Sequence, residues 1–313
     1  MTIRIGVILT AGRGSRMGLL GEDYPKSLLP VANEPLISHH LSLLRDLGVQ
    51  EVYLVIGYRS ADVITAVGDG GRYRLNVHYI EQESILGSAH ALMCLRSRIR
   101  EPFLLVLGDY YFSASDPACL LRRLQNGEGS AISAKREPDR DLLSQACELK
   151  VDGEGRVLRI VEKPTMPKSD LKGCGFYALQ PEIFDAIART PRTALRDEYE
   201  LSNSLELHVE AGSPLYAEDI IIWDFNFTWP EDLLKCNLKW LEREDRNELI
   251  AKGAYIEPGT QFKHVIVGDQ ARITGCSSLE DVVVFPGATL EGTPNLRRAL
   301  VTPKRLYVFN QQL

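Results

Sequence analysis

Short apolar runs alternate with helical patterns over the first third of the chain. Apolar residues cluster in four short runs, whereas two other segments carry them at the three- and four-residue spacing of an amphipathic helix. Strands are predicted at residues 5–9, 51–57, 76–80 and 103–109, and helices at residues 36–47 and 88–95. Gly48 follows the first of these helices, at a position where glycine commonly ends a helix.

The order of these elements predicts the fold class. Near-continuous apolar strands, such as residues 103–109, are typical of parallel strands that helices cover on both faces. The repeated strand–helix order predicts a doubly wound α/β domain with a mostly parallel sheet and right-handed crossovers. Ligands of such sheets bind at the carboxyl ends of the strands. We therefore expect the loop after Leu9 and the carboxylate of Asp109 at a binding site.

Strands become denser after residue 130, and the pattern changes again after Gly253. The predicted strands are residues 131–135, 147–151, 157–161 and 174–179, and the predicted helices are residues 182–188, 199–211 and 231–244. In the tail, isolated β-branched residues alternate with glycines and turn residues, which predicts a short C-terminal β-solenoid. An irregular β tail is the alternative. The predicted division is a main domain of residues 1–250 and a tail of residues 251–313.

The composition is that of an ordinary globular protein, with 44% apolar and 25% charged residues among 313. The net charge of −6 argues against a nucleic-acid partner. No apolar run reaches the roughly 18 residues that span a membrane. The first residues read as a strand, with no signal-peptide cleavage site. Six cysteines without paired close spacing argue against a zinc site or a disulfide framework. Together these features predict a cytoplasmic protein.

The first candidate site is the glycine-rich turn after the first strand, Leu-Thr-Ala-Gly-Arg-Gly-Ser-Arg-Met at residues 9–17. Glycines let backbone N–H groups approach phosphate oxygens, and Arg16 adds a fork of donors that suits phosphate. A dinucleotide-binding loop would need a third glycine at the position of Met17, and a phosphate-loop ATPase would need Gly-Lys-Ser or Gly-Lys-Thr. Neither pattern is present. A tight strand–helix turn without a ligand is the plain alternative.

Lys26 lies ten residues after Arg16, between Pro25 and Pro30. Two prolines make the segment stiff, and stiffness reduces the entropy that a point charge loses when it binds a ligand. Taken alone, Lys26 would be read as an exposed surface lysine. Its spacing from Arg16 favours a role in the same site.

Further motifs follow in an order that is typical of one enzyme family. The motifs are residues 12–16, 25–31, 81–91, 107–109, 161–164, 174–177 and 198–203. In this order the chain resembles the sugar-1-phosphate nucleotidyltransferases, which include the glucose-1-phosphate thymidylyl- and uridylyltransferases and the mannose-1-phosphate guanylyltransferases. The resemblance covers nearly the whole chain. It implies a nucleotide-diphospho-sugar transferase-like fold with a left-handed β-solenoid tail.

The resemblance also implies a reaction and a set of roles. A nucleoside triphosphate and a sugar 1-phosphate would be joined, with Mg²⁺ as cofactor and pyrophosphate as product. Arg16 would hold the β- and γ-phosphates, Lys26 the α-phosphate and Lys163 the phosphate of the sugar. The remaining implied residues are Leu9, Ala11, Gly12, Gly14, Ser15, Gln82, Gly87 and Ser88 for the nucleotide, Asp109, Glu162, Gly175, Tyr177 and Glu198 for the sugar, and Asp109 and Asn226 for the metal.

The sequence departs from the family pattern at three places. Residues 19–21 are Leu-Leu-Gly where the family often has Pro-Leu-Thr, so this loop is expected to close differently. Cys147 stands where many members have a glycine over the sugar, which suggests an unusual sugar. Asn226 takes the place of the usual metal-binding aspartate, counted back from Pro230. An amide oxygen is an acceptable Mg²⁺ ligand, and Asp224 is the alternative.

Two other functions stay open on the sequence. A catalytically silent relative with this fold would be expected to lose its charged loop residues, and Arg16 and Lys26 are present. A phosphocholine-type cytidylyltransferase would need an aromatic cage, for which Tyr110, Tyr111 and Trp223 are candidates. The tail carries no candidate site residue, and a short solenoid needs a neighbour to cover its ends. We therefore expect a homo-oligomer, and tail deletion is expected to disturb assembly before chemistry.

Overall fold

The computed structural model describes residues 3–194 and 197–309. Contacts between residues divide the chain into two compact units. Unit 1 consists of Met1–Arg13 and Ile37–Asp224, and unit 2 consists of Gly14–Leu36 and Phe225–Leu313. The chain therefore passes from unit 1 to unit 2 within the glycine-rich turn and returns at the first long helix.

The strands of both units are numbered in chain order. They are β1 (Ile5–Leu9), β2 (Pro30–Val31), β3 (Glu34–Pro35), β4 (Glu51–Ile56), β5 (Asn76–Glu81), β6 (Phe103–Leu107), β7 (Tyr110–Ala114), β8 (Ser130–Arg136), β9 (Cys147–Val151), β10 (Val157–Glu162), β11 (Leu171–Leu179), β12 (Leu215–Asp219), β13 (Ile221–Asn226), β14 (Glu248–Ile250), β15 (Tyr255–Ile256), β16 (Gln261–Val267), β17 (Arg272–Thr274), β18 (Ser278–Val284), β19 (Thr289–Glu291), β20 (Asn295–Val301) and β21 (Leu306–Val308).

The helices are numbered in the same way. They are α1 (Gly18–Asp23), α2 (Leu36–Asp46), α3 (Ser60–Val67), α4 (Ser88–Met93), α5 (Cys119–Gln125), α6 (Arg140–Leu143), α7 (Ile183–Ile187), α8 (Leu201–Glu210) and α9 (Pro230–Arg243), with 3₁₀ turns at Ser15–Met17, Lys26–Leu28 and Gly71–Tyr73. The predicted helix at residues 36–47 is confirmed as α2, and Gly48 ends it in a left-handed conformation (φ 88°). The helices α3 and α5 lie in stretches to which the sequence pattern assigned no element.

Unit 1 is built on one large sheet with a parallel core. In this core β1 pairs in parallel with β4 and β6, and β4 pairs in parallel with β5. Every residue of β1 is buried, as expected for a strand that is covered on both faces. The predicted central parallel sheet is confirmed. The carboxyl ends of these strands meet at one edge, as the sequence analysis required.

The other half of the sheet corrects the prediction of a mostly parallel arrangement. The long strand β11 runs antiparallel to β6, β8 and β9, and β9 runs antiparallel to β10. The sheet is therefore mixed. The apolar run at residues 103–109 did not reveal this, because β6 has a parallel neighbour on one side and an antiparallel neighbour on the other, and both bury it equally.

The C-terminal part of unit 2 consists of parallel strands at a constant step along the chain, followed by β21, which runs antiparallel to β20. Gln261 pairs with Ser278, and Ser278 pairs with Asn295, a step of 17 residues. The strands β15, β17 and β19 pair in parallel with the same step. The same position of three successive coils holds a left-handed residue that is not glycine, namely His264, Asp281 and Arg298. The repeat is therefore exact in backbone conformation as well as in pairing.

Asn237 connects helix α9 to residues 30–32 within unit 2. It lies on α9, and its side chain is fully buried. Its Oδ1 accepts a hydrogen bond from the Ala32 N–H at 2.9 Å, and its Nδ2 donates to the Pro30 carbonyl at 3.0 Å and to the Leu233 carbonyl at 2.9 Å. One buried amide thus satisfies three backbone groups, and it fixes residues 30–32 against the helix.

Within residues 3–194 and 197–309, no helix has both the length and the apolar character that crossing a bilayer requires. All six cysteines are free thiols.

Replacing Asn237 by alanine is expected to lower the free energy of unfolding by about 2 kcal/mol or more, because buried backbone groups at Pro30 and Ala32 lose their partner. Denaturant titration of both proteins measures the difference. Asn126→Ala is the control, since the exposed Asn126 amide donates to Glu128 at the surface. Equal losses in the two variants would contradict the connecting role of Asn237.

Candidate functional site

The end of β1 is packed closely against the neighbouring strand ends of unit 1. The Gly108 N–H donates to the Leu9 carbonyl at 2.9 Å, and the Thr10 hydroxyl donates to the Val55 carbonyl at 2.8 Å. A Cβ at Gly108 would lie 2.5 Å from the Leu9 oxygen, so only glycine allows this approach. The contact places Asp109, the next residue, beside the start of the glycine-rich turn.

Asp109 occupies the turn between β6 and β7, and His40 supports the backbone that follows it. His40 is buried on α2, and its Nε2–H donates to the Tyr110 carbonyl at 2.7 Å. Burial lowers the pKa of His40 to about 4, against a smaller opposing effect of the bond to Tyr110. The imidazole is therefore neutral at physiological pH and acts as a fixed donor beneath this turn.

Gln82 follows β5 at the same edge of the sheet and is buried. Its Nε2 lies 2.8 Å from His90 Nδ1 and 3.3 Å from the Gly87 carbonyl. The backbone N–H of Gln82 donates to the Ile56 carbonyl at 2.8 Å. The predicted base-recognition residues Gln82 and Gly87 are thus adjacent and held in place by the protein.

Gly87 and Ser88 are joined to the segment before α8. Gly87 is left-handed (φ 107°), and a Cβ there would lie 2.5 Å from the Tyr199 carbonyl oxygen. The Ser88 hydroxyl accepts a hydrogen bond from the Leu201 N–H at 3.0 Å. Glu198 precedes Tyr199 and is partly exposed. Two of the predicted motifs, more than 100 residues apart, are therefore brought together.

Gly14 and Lys26 are in contact within unit 2. Gly14 is left-handed (φ 64°), and a Cβ there would lie 2.8 Å from Lys26 Cε and 3.2 Å from Lys26 Cγ. The stem of Lys26 therefore lies directly over the glycine. This is the association that the sequence spacing predicted, and it explains why residue 14 has no side chain.

Arg16 and Ser15 are exposed on the 3₁₀ turn that follows Gly14, and Gly12 is exposed before it. Within the described part of the chain, Arg16 makes no ion pair or hydrogen bond through its guanidinium group. Ala11 is buried, and its carbonyl accepts a hydrogen bond from the Tyr58 N–H at 3.1 Å. The turn thus presents backbone and two cations to solvent, Arg16 and also Arg13, whose guanidinium lies over the Tyr58 ring at 5.5 Å.

The motif of Glu162 and Lys163 lies at the end of β10. Lys163 is left-handed (φ 49°), and its N–H donates to the Ala146 carbonyl at 2.8 Å. Its Nζ lies 3.1 Å from Glu162 Oε1. Glu162 is the strand partner of Cys147, which also pairs with Gly173 on β11. Burial, and next the charge of Glu162, raise the pKa of the Cys147 thiol well above its ordinary value.

Tyr177 is buried in the main core of unit 1. Burial raises the pKa of its hydroxyl, and the nearby Cys147, Glu162 and Glu200 raise it further. Tyr177 therefore lies within electrostatic range of both Glu162 and Glu200. Glu200 was visible in the motif that supplied Glu198, but the spacing within that motif did not distinguish the two carboxylates.

Gly175 has a packing reason for its missing side chain. A Cβ at this position would lie 2.9 Å from Tyr110 Cδ1 and 3.2 Å from Leu107 Cβ. The ring of Tyr110 therefore packs onto the backbone of β11 at this point.

Asp224, the alternative metal ligand, is part of a buried ion-pair cluster. Its side chain is 2% exposed, with Lys135 Nζ 2.9 Å from Oδ1 and Lys172 Nζ paired with Oδ2. Lys135 also lies 2.9 Å from Glu137. Burial alone would raise the pKa of Asp224, but the charges of Lys172 and Lys135 lower it overall. Each carboxylate oxygen of Asp224 therefore lies within ion-pair distance of a lysine, whereas Asn226 is exposed.

No cluster of three or more His, Cys, Asp or Glu side chains that would hold a metal occurs among residues 3–194 and 197–309. A site formed by one carboxylate and one amide, as predicted for Asp109 and Asn226, falls outside that definition. Bound phosphates supply the other ligands of such magnesium sites.

The proposed aromatic cage does not form in unit 1. Tyr110 packs on Phe112 with 5.6 Å between ring centroids, whereas Tyr111 packs on Trp223 with 5.4 Å between centroids. Because side chains alternate along β7, Tyr110 and Tyr111 point to opposite faces. The three rings therefore do not surround one point.

Asp224→Asn is expected to lower the free energy of unfolding by about 3 kcal/mol, because two partly buried lysines lose their shared counter-charge. The pKa of Asp224 is lower in the folded protein than its ordinary 3.8, so the ionised carboxylate stabilises the fold at higher pH. This stabilisation is lost as the pH falls through the lowered pKa. The difference in the free energy of unfolding between the wild type and Asp224→Asn should therefore become smaller below about pH 4. Denaturant titration at several pH values measures it.

The control for this variant is Asp170→Asn, which breaks an exposed ion pair with Arg136 and should have a much smaller effect. A stable Asp224→Asn protein that needs far more divalent cation would contradict the structural role of Asp224 and restore it as a metal ligand.

Comparisons with known proteins agree with these features. The family model described as nucleotidyl transferase matches residues 5–240. The chain is similar to a UTP–glucose-1-phosphate uridylyltransferase of Haloferax volcanii, with 33% identity over 72% of this chain and 92% of that protein. It is also similar to a glucose-1-phosphate thymidylyltransferase of Streptomyces griseus, with 26% identity over 94% of this chain and 91% of that protein.

Solved structures agree on the fold. A UDP-glucose pyrophosphorylase complexed with UDP-glucose matches with a TM-score of 0.66 and 20% identity, over 77% of this chain and 99% of that chain. At this identity the likeness establishes the fold alone. The resemblance that the motifs predicted is confirmed by the family model and by the relatives. The chain belongs to the nucleotidyl transferase family.

Proposed function

We propose that this chain is a sugar-1-phosphate nucleotidyltransferase, which transfers a nucleotidyl group from a nucleoside triphosphate to a sugar 1-phosphate and releases pyrophosphate. The names of the uridylyl- and thymidylyltransferases to which it is similar state this class of reaction. The observation that carries the proposal is the packing of the Lys26 stem over Gly14. It joins the glycine-rich turn and the lysine of two separate motifs into one cationic element.

The chemistry requires two anions to approach each other. A phosphate oxygen of the sugar attacks the α-phosphorus in line, and the bond to the pyrophosphate oxygen breaks. Lys26 meets the negative charge that develops at the α-phosphate, and Arg16 holds the β- and γ-phosphates until pyrophosphate leaves. Lys163 holds the phosphate of the acceptor. Such transfers depend on positioning and charge neutralisation, and little covalent work falls to the protein.

Asp109 and Asn226 are the proposed ligands of a divalent cation, with Mg²⁺ as the expected ion. When bound, Mg²⁺ neutralises phosphate charge and helps to orient the triphosphate. The neutralised state of Asp224 supports Asn226 in this role. Asp109 follows the strand end that Gly108 holds against Leu9.

The remaining predicted residues divide into a nucleotide group and a sugar group. Backbone and side chains of Leu9, Ala11, Gly12, Gly14, Ser15, Gln82, Gly87 and Ser88 serve the nucleotide. Glu162, Gly175, Tyr177, Glu198 and Asp109 serve the sugar. The buried positions of Gln82 and Tyr177 suit groups whose orientation must be fixed before the ligand binds.

We propose a left-handed β-solenoid for residues 251–313 and a catalytic domain for residues 1–250. The constant step of 17 residues between paired strands supports the solenoid. Its open ends favour a homo-oligomer, and the composition favours the cytoplasm.

The alternatives are less well supported. A phosphocholine acceptor lacks its aromatic cage, since Tyr110 and Tyr111 lie on opposite faces of β7. A silent homologue would have no need for an exposed Arg16 or for Lys26 held over Gly14.

The direct test is incubation of the purified protein with each nucleoside triphosphate against a panel of sugar 1-phosphates, with Mg²⁺ present. Pyrophosphate and a nucleoside-diphosphate sugar should form with at least one pair. Lys26→Ala should lower kcat about 10²–10³-fold, with a smaller change in KM, because its contact strengthens in the transition state. The exposed Lys252 of unit 2 supplies the control variant Lys252→Ala. No product with any pair would refute the function.

Gly14→Ala is expected to lower kcat about 10-fold or more, because the new methyl group displaces the Lys26 stem. Gly127→Ala is the control: Gly127 follows α5 and also has a positive φ (71°), but a Cβ there meets no atom within 4 Å. Steady-state kinetics of both variants separate the collision with Lys26 from backbone strain. Equal losses would assign the effect to strain alone.

A further inference from the structure

The end of α1 is held by two basic residues of the C-terminal tail. The Asp23 side chain is 10% exposed. Lys304 Nζ lies 2.9 Å from its Oδ1, and Arg305 Nε lies 3.2 Å from its Oδ2. We call this group of three side chains the Asp23 clasp. The hydrogen bond from Lys304, followed by that from Arg305, lowers the pKa of Asp23 despite the opposing effect of burial.

The turn that carries the two basic residues is itself held in shape. Thr302 is buried. Its N–H and hydroxyl donate to the Arg305 carbonyl at 2.8 and 3.0 Å, and its hydroxyl oxygen accepts from the Arg305 N–H at 2.9 Å. Lys304 and Arg305 are therefore presented from a closed turn, which lowers the entropy lost when they pair with Asp23.

A second contact lies beside the clasp. The ring of Tyr24 packs against that of Phe285 at 5.4 Å between centroids. Phe285 is 2% exposed, so this is a core contact of the tail. Pro25 and Lys26 follow directly, and the Lys26 stem lies over Gly14. The anchored residues thus immediately precede the lysine.

The far end of the same segment is also anchored. The Asn33 amide donates to the Val267 carbonyl of β16 at 2.9 Å, and Asn237 of α9 bonds to Pro30 and Ala32. Residues 23–33 are therefore tied to the C-terminal region of unit 2 on both sides of Lys26. The tail contacts the segment that carries a predicted catalytic group.

We propose that Lys304 and Arg305 are positioning residues for nucleotidyl transfer, which act through Asp23 to fix Lys26. This inference rests on the proposed function. The helix α1 has six residues and is too short to be stable alone. When the clasp opens, its last turn frays, and the turn at Lys26–Leu28 loses its fixed start. Arg16 precedes α1, so the clasp sets the separation of the two cations that face the triphosphate.

The test uses the full-length protein and compares Asp23→Asn with the double variant Lys304→Gln, Arg305→Gln. Each should lower kcat about 10-fold or more while KM for the nucleoside triphosphate changes little, because misplacing a group that acts in the transition state affects turnover first. Asp23→Glu keeps the charge and should recover part of the rate. If the clasp only stabilised the fold, these variants would not lower kcat while KM stayed nearly unchanged.

Glu280→Gln is the matched control. Glu280 lies in the tail, is 20% exposed, and pairs with two basic residues, Lys263 and Arg297, as Asp23 does. It is not part of the Lys26 segment. The variant removes the same charge from the same kind of cluster, so it should cost similar stability and leave kcat at the wild-type value.

Hydrogen exchange supplies a readout that does not depend on activity. The amides of Tyr24, Leu28 and Leu29 are bonded to Leu20, Pro25 and Lys26, and they should exchange several-fold faster in Asp23→Asn than in Glu280→Gln. Unchanged exchange together with unchanged kcat would overturn the inference. An inactive wild type would refute the proposed function, whereas the exchange comparison would still decide whether the clasp holds the lysine.

Discussion

The contact between the Lys26 stem and Gly14 is the constraint on which the proposed site depends. A lysine side chain carries about 2 kcal/mol of rotamer entropy, which it would lose on meeting a phosphate. Packing the stem onto a glycine, with Pro25 before it and a 3₁₀ turn around it, removes much of that freedom before any ligand arrives. The left-handed conformation of Gly14 makes room for the stem. Gly14 therefore makes room for the lysine, in addition to its proposed role at the phosphates.

Charges in the two units are used in two ways. Asp224 is buried and forms ion pairs with Lys135 and Lys172, so this cluster joins β8, β11 and β13. Arg16 is exposed and unpaired among the described residues, so its charge is available to a phosphate. A buried pair mainly resists separation, whereas an exposed cation can exchange water for substrate. Because the lysines around Asp224 are paired and Arg16 is exposed without a partner among the described residues, an acidic protein can still present a locally basic surface.

Local patterns predicted much of the fold and part of the site. The boundaries of α2 and β9, the parallel core and the pairing of Lys26 with the glycine-rich turn all follow from short-range signals: periodicity, a capping glycine and stiff prolines. The direction of β11, the pairing of Asp224 with Lys135 and Lys172, and the effect of Glu200 on Tyr177 depend on residues that are distant in sequence. Apolar runs are equally buried in parallel and antiparallel sheets, and a motif does not say which of its carboxylates points inward.

Domain boundaries, too, depend on contacts that local sequence patterns do not reveal, as the tail after Gly253 shows. Its composition differs from that of the preceding chain and it carries no candidate site residue, so the sequence alone predicts a role in assembly and not in chemistry. Asp23 bonds to Lys304 and Arg305, and Asn33 bonds to Val267. Because these contacts fall within one compact unit, residues 14–36, which include Lys26, and the tail belong to the same structural unit, although nearly the whole length of unit 1 separates them in sequence. A change of composition therefore marks a change of secondary structure here, and it does not mark the limit of what supports the proposed catalytic groups.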